Sequence, residues 1–305
     1  MKKLFAIILC FNFLLTISIW AQSKANADAE RIARMDAQIK TEIANFKGKV
    51  WVYAKNLDTG ETYSYKGEER VRTASTIKVP IMVEAYAQVA EGKIKWTDEL
   101  ILTKEKKVGG AGILFEFSDG LKLTLRDAVN LMVTISDNTA TNLVLEVITS
   151  DAVNARMDSL GLKNIRSLNK VGGGAPSKVA ASNPTMRLYG IGTATPKEMV
   201  TLLEKLENGE VINPEASKDM IALIKRQQFH DGIGRTLFDT TIASKPGALD
   251  RLRSDIGIIY TRRGRIAMAI TTDDIHEIIW NPENPGLLML SRLSLILIDG
   301  LGKQP

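Results

Sequence analysis

Three short runs in this chain hold side chains of the kind that acyl transfer uses. Ser75 and Lys78, in Ser75-Thr76-Ile77-Lys78, open an apolar segment from Val79 to Ala90. On a helix these two positions share a face, so the lysine amine comes within reach of the serine hydroxyl. A lysine drawn out of water loses basicity and can then accept the serine proton. Ser167-Leu168-Asn169-Lys170 repeats the spacing without the helical context. Ser136-Asp137-Asn138 offers a hydroxyl to relay a proton, a carboxamide to hold a substrate amide and a carboxylate to brace a loop; the triplet reads equally as a helix N-cap. Lys245-Pro246-Gly247, followed by Ala248, places a cation beside an edge-strand backbone that suits a substrate carboxylate and amide. Its other reading is a strand end with a Pro-Gly turn.

The elements that must position these runs follow from hydrophobic spacing. Ile32, Met35, Ile39, Ile43 and Phe46 recur at helical steps and predict an amphipathic helix from Asp28 to Phe46. Lys49–Asn56 and Glu61–Tyr65 alternate around Asp58-Thr59-Gly60 and predict a β-hairpin. From Ser75 to about Arg226 the pattern is mostly helical, with starts at Thr97 with Glu99, Thr124, Ser136 and Thr195. Strand character returns at Thr240–Ser244, Asp255–Thr261 and Arg265–Thr272, with Arg262-Arg263-Gly264 as a tight turn, and Pro285 to Leu301 suits a final helix. Strands at both ends with helices between them imply an α/β fold. Its antiparallel sheet is built from both termini (about 28–70 and 228–305), and an all-α insertion spans about 71–227.

The counts narrow the function classes. The chain has 305 residues, a net charge of +5, one cysteine and two histidines. This is ordinary globular composition, with too few ligating residues for a His-rich or Cys-cluster metal site. Met1–Ala27 reads as a secretory signal: Lys2 and Lys3, an apolar stretch from Leu4 to Trp20, and Ala25-Asn26-Ala27 as a cleavage site. An uncleaved anchor is the alternative, although Asn12, Thr16 and Ser18 interrupt the stretch. Cleavage would remove Cys10 and three lysines, leaving a chain of charge about +2 with no cysteine. The expectation is therefore an exported periplasmic or extracellular monomer, without cofactor, nucleic-acid partner or membrane anchor.

Taken in order, S-x-x-K, S-D-N and K-x-G form the motif set of class A β-lactamases and penicillin-binding proteins. The chain resembles the class A β-lactamase family of penicillin-recognising serine hydrolases from about Asp28 to Leu301. Gly109–Leu114, Leu123–Asp127, Ser136–Asn142 and Gln227–Arg235 add to the likeness. The resemblance implies a sheet domain and a helical domain with the site between them. It also implies Ser75 as the acylated nucleophile, Lys78 as its base and Ser136 as the proton relay to the leaving nitrogen. Asn138 would hold a substrate amide, Lys245 with Gly247 and Ala248 would line the substrate, and the N–H groups of Ser75 and Ala248 would form the oxyanion hole. Arg253, or alternatively Arg251, would meet the substrate carboxylate.

Two departures stand out. The resemblance calls for a glutamate in the loop after the helical region, to activate the deacylating water. From Ser159 to Lys197 there is no Asp or Glu; aligning Leu168-Asn169 with the family pattern puts Ile165 in its place, and the alternative register puts Arg166 there. Glu198 follows Thr195-Pro196-Lys197 and reads as part of a capping box. Pro246 replaces a hydroxyl residue, a loss of about 1.5–3 kcal/mol if that hydroxyl bonded a charged group. The expectation is a β-lactam-opening enzyme with slow deacylation. The alternatives are a peptidase on D-Ala-D-Ala-like peptides and a non-hydrolytic β-lactam sensor; a Ser–His triad using His230 or His276 is the least favoured.

Overall fold

The computed structural model describes residues 27–303. The segment read above as a secretory signal lies outside them except for Ala27. Helix α1 (residues 27–44) falls in a compact unit that ends at Asn45, and everything from Phe46 onward falls in a second. Within α1, Asp36 and Lys40 pair one turn apart at 2.7 Å.

The second unit is built on strands β1 (Lys49–Asn56) and β2 (Thr62–Tyr65) from one end of the sequence, which share a sheet with three strands from the other end. Between them come β3 (Val71–Arg72), a 3₁₀ turn over Ala74–Ile77, α2 (Lys78–Ala90), β4 (Glu99–Ile101), β5 (Lys122–Thr124), α3 (Leu125–Thr134), α4 (Asn138–Ile148), α5 (Ser150–Ser159), β6 (Arg166–Ser167), α6 (Lys178–Ser182), β7 (Gly192–Ala194), α7 (Pro196–Glu207) and α8 (Pro214–Ile224). The chain closes with β8 (Thr241–Leu249), β9 (Leu252–Thr261), β10 (Gly264–Asp273) and α9 (Pro285–Leu301). The main sheet runs β2-β1-β10-β9-β8, antiparallel throughout, so the α/β reading and the sheet joined from both ends hold.

One apolar cluster joins α2, α3, α4, α7 and α8 to the inward residues Ala243, Ile256, Ile258, Ala267 and Ala269 of the sheet. Each large aliphatic side chain buried there contributes about 1.5–3 kcal/mol of transfer energy. Helix α9 covers β9 and β10 outside this cluster, burying Met289, Leu293 and Leu297. No helix among the described residues is long and apolar enough to cross a membrane.

Several elements differ from the expectation. Thr97 with Glu99 starts no helix: Glu99 begins β4, which pairs with β5. That two-stranded sheet and the three-stranded sheet β3-β7-β6 have strands of two or three residues, too short to show alternation in sequence. Thr195 caps α7 by accepting from the Glu198 N–H at 3.2 Å. The Glu198 carboxylate does not complete the box. It accepts instead from the Asn164 and Ile165 N–H groups at 2.7 and 3.1 Å.

Candidate active site

Ser75 lies in the 3₁₀ turn and Lys78 is the first residue of α2. Residues three apart eclipse in a 3₁₀ turn, and the Lys78 N–H returns to the Ser75 carbonyl, so both side chains leave one face. Ala74, just before the serine, holds φ at +45°, and Ser136 holds φ at +58°. Left-handed backbone at a non-glycine residue costs about 1–3 kcal/mol and persists only where the surroundings enforce it. Asp137 supplies that enforcement for the second turn. Its carboxylate accepts from the N–H groups of Ala140 at 2.8 Å, Ile113 at 2.7 Å and Leu114 at 2.9 Å. Asp137 is thus the N-cap of α4, so the cap and brace readings of Ser136-Asp137-Asn138 are both met.

Lys245-Pro246-Gly247 does not end a strand. It lies inside β8, at the edge of the sheet, where a proline is tolerated because no ladder partner lies outside. Strand β8 crosses directly against the serine turn. A Cβ on Gly247 would stand 2.7 Å from the Thr73 carbonyl oxygen and 2.9 Å from the Ser75 nitrogen, so the approach requires glycine.

Both lysines are fully buried and converge on one hydroxyl. The Lys78 amine donates to Ser136 O at 2.7 Å, Ser136 Oγ at 3.2 Å and Asn138 Oδ1 at 3.0 Å. Lys245 donates to Ser136 Oγ at 3.0 Å and to the Pro246 carbonyl at 2.9 Å. A hydroxyl has two lone pairs and one hydrogen. Both lysine amines meet this hydroxyl, and Ser136 also lines the cleft. Burial, reinforced by the charge of Lys245 and opposed by Asp137, holds Lys78 well below the usual lysine range. Burial likewise takes Lys245 down to about 7, with Asp255 pulling the other way. Asp255 is buried in turn, and its carboxyl is pushed up to about 7.

The cleft measures about 690 Å³. Ser75, Ser136, Asn138, Gly247, Ala248 and Arg253 all line it. Lys78 and Lys245 stand behind its wall, each fully buried, and reach it through Ser136. Ser75 Oγ makes no hydrogen bond within the described residues, to Lys78 included, and is partly open. Asn138 also donates from Nδ2 to the Gly109 carbonyl at 3.0 Å. Of the two candidate arginines, Arg253 is at the cleft. Its guanidinium donates to the carbonyls of Leu249, Leu252 and Ile279 at 2.6–2.7 Å and lies under the Trp280 ring at 4.6 Å. Arg251 turns away to the carbonyls of Ile275 and His276. His230 and His276 are exposed and do not line the cleft.

The loop that lacks carboxylates enters the site in an unexpected register. Ile165 is buried in the helical core, away from the cleft. The residues of this stretch in the cleft wall are Val171, Gly172 and Ile191; Val171 is clamped by Asn142, which accepts from the Val171 N–H at 2.9 Å and donates to its carbonyl at 3.0 Å. Sequence spacing pointed to neither Val171 nor Asn142, because a clamp across 29 positions leaves no periodic trace. Phe229, Asp231 and Trp280 were missed as cleft residues for the same reason.

Known proteins named β-lactamases resemble this chain in sequence and fold. The β-lactamase CARB-3 of Pseudomonas aeruginosa is 22% identical over 243 residues, covering 78% of this chain and 80% of that protein. The crystal structure of a β-lactamase from Sphaerobacter thermophilus superposes with a TM-score of 0.77 at 30% identity, over 89% of this chain and 98% of that one. A PBP-A variant solved as an acyl-enzyme complex with penicillin G shares the fold, with a TM-score of 0.75 at 24% identity over 87% and 95% of the two chains. The sequence pattern of the β-lactamase enzyme family matches residues 34–301, and the chain belongs to that family.

Proposed function

We propose that the protein is an exported serine hydrolase that opens β-lactam rings through an acyl-enzyme on Ser75 and releases the product slowly. Lys78 in its free-amine form, which burial favours, takes the Ser75 proton as Oγ bonds to the lactam carbonyl carbon, whose π electrons move onto oxygen. The N–H groups of Ser75 and Ala248 receive that oxyanion; donors of this kind are worth about 2.7–4 kcal/mol each. Collapse of the intermediate breaks the C–N bond, and the nitrogen takes the Ser136 proton, which the Lys78 ammonium replaces. Lys245 and Arg253 supply positive potential for the substrate carboxylate, and Asn138 holds its amide.

The observation that carries this reading is the pair of buried lysines on Ser136 Oγ beside an open Ser75. Slow release is supported by Val171, an apolar side chain in the cleft wall, in a loop without carboxylates. The same feature favours a second reading, cleavage of peptides ending in D-Ala-D-Ala, which shares the acylation step. Mass spectrometry of the mature protein with penicillin tests the proposal: it predicts one adduct per chain, mapped to Ser75 and absent in Ser75→Ala. An adduct elsewhere, or none, refutes it. Release of D-Ala from a model peptide decides for the peptidase.

A further inference from the structure

Two exposed aromatic rings line the cleft that holds Ser75: Phe229 is 45% exposed and Trp280 is 63% exposed. Asp231 lines the same cleft, the sole carboxylate among its lining residues, exposed and without an ion pair among the described residues. The segments that carry these three residues are tied down. The Gln227 side chain donates to the Val133 carbonyl and accepts from the N–H groups of Gln228 and Phe229, which fixes the start of the loop. Asp255 accepts from the Ile233 N–H and fixes its end. Arg235 ties this loop to the segment after Trp280 through the Pro282 carbonyl and Glu283, and Arg253 packs under the Trp280 ring.

We propose that Phe229, Asp231 and Trp280 form a subsite for a flat, positively charged group carried on the leaving-group side of the substrate. Aromatic faces attract cations, a carboxylate completes the charge match, and Trp280 stays 63% exposed with Arg253 against its ring. Arg253 lies against the same ring, so a substrate carboxylate at its guanidinium would set the neighbouring substituent beside these residues. The inference rests on the reading of Ser75 as nucleophile and Arg253 as the carboxylate's partner.

Two cephalosporins with the same acyl side chain test it, one with a 3′-pyridinium and one with a 3′-acetoxy group. Their acylation rates are each divided by the rate of hydroxide-catalysed ring opening. The proposal predicts a ratio of about ten in favour of the pyridinium compound, the sum of a weak cation–π contact and an exposed charge pair. Asp231→Asn and Trp280→Ala should each lower that ratio to about three, and Trp280→Phe should keep most of it. Acylation of Ser75 by both compounds with a ratio that neither variant moves overturns the subsite and leaves the nucleophile assignment standing. No Ser75 adduct with either compound overturns both.

Discussion

Replacing Lys245 by methionine should stabilise the protein while disabling it, and the stabilisation should depend on pH. The Lys245 amine is fully buried, and burial lowers it from 10.5 to about 7. That fall corresponds to about 5 kcal/mol against the charged form. The unfolded chain keeps its proton up to about 10.5, so below that value it binds more protons than the folded chain. Stability therefore falls as pH drops from 10.5 to 7, and the penalty is complete below 7. Methionine removes the penalty but leaves Ser136 Oγ and the Pro246 carbonyl each short of a donor, at about 1 kcal/mol apiece. The net gain at pH 6 is about 2–3 kcal/mol, within the range for replacing buried charges by apolar groups. In melting temperature this is about 4–10 °C. At pH 10 the penalty shrinks to about 1 kcal/mol, and the variant should be no more stable than the parent. Urea denaturation followed by circular dichroism at the two pH values reads the difference. Acylation of Ser75 should fall at least about 10²-fold, from the loss of a preorganised donor behind Ser136. A variant equally stabilised at both pH values, or destabilised at pH 6, would refute the argument that burial of this charge is what the site sustains.

Single-turnover acylation by penicillin should rise with pH as Lys78 loses its proton, then fall above about 7 as Lys245 loses its charge; a rate still climbing at pH 9 contradicts the role given to Lys245. Gly247→Val should drive β8 off the serine turn, because the added carbon would meet Thr73 and Ser75 backbone within 3 Å. The expected result is a loss of about 1–3 kcal/mol in stability together with most of the acylation rate, read by denaturation and adduct formation. Val171→Glu keeps the Asn142 clamp, which holds backbone only, and puts a carboxylate in the cleft wall. A general base is worth about 10²–10⁴-fold, so the adduct lifetime should shorten at least tenfold; an unchanged lifetime shows that the absent carboxylate is not what limits release.

Much of this was legible in the sequence because it is local. Lys49–Asn56 and Pro285–Leu301 form the expected elements, and Thr124 closes a full capping box with Asp127. The S-x-x-K run gave the right face although the turn is 3₁₀ rather than α. The rest depends on long-range contacts. Pro-Gly at 246–247 looks like a turn, yet pairing of β8 with β9 keeps it extended. Ile165 fitted a sequence register, but a buried position in the helical core overrides spacing. Nothing in the composition near Val171, Asp231 or Trp280 marks them: tertiary hydrogen bonds from Asn142, Gln227 and Asp255 place or flank the first two, and Arg253 holds the Ile279 carbonyl and the Trp280 ring.

On the proposed reading this cleft acylates readily and deacylates poorly. Stopped-flow mixing of the enzyme with a chromogenic cephalosporin tests it most directly. The account predicts a burst close to one product per enzyme, lost in Ser75→Ala, followed by a steady state at least about 10²-fold slower. A linear trace with rapid turnover and no burst would contradict it.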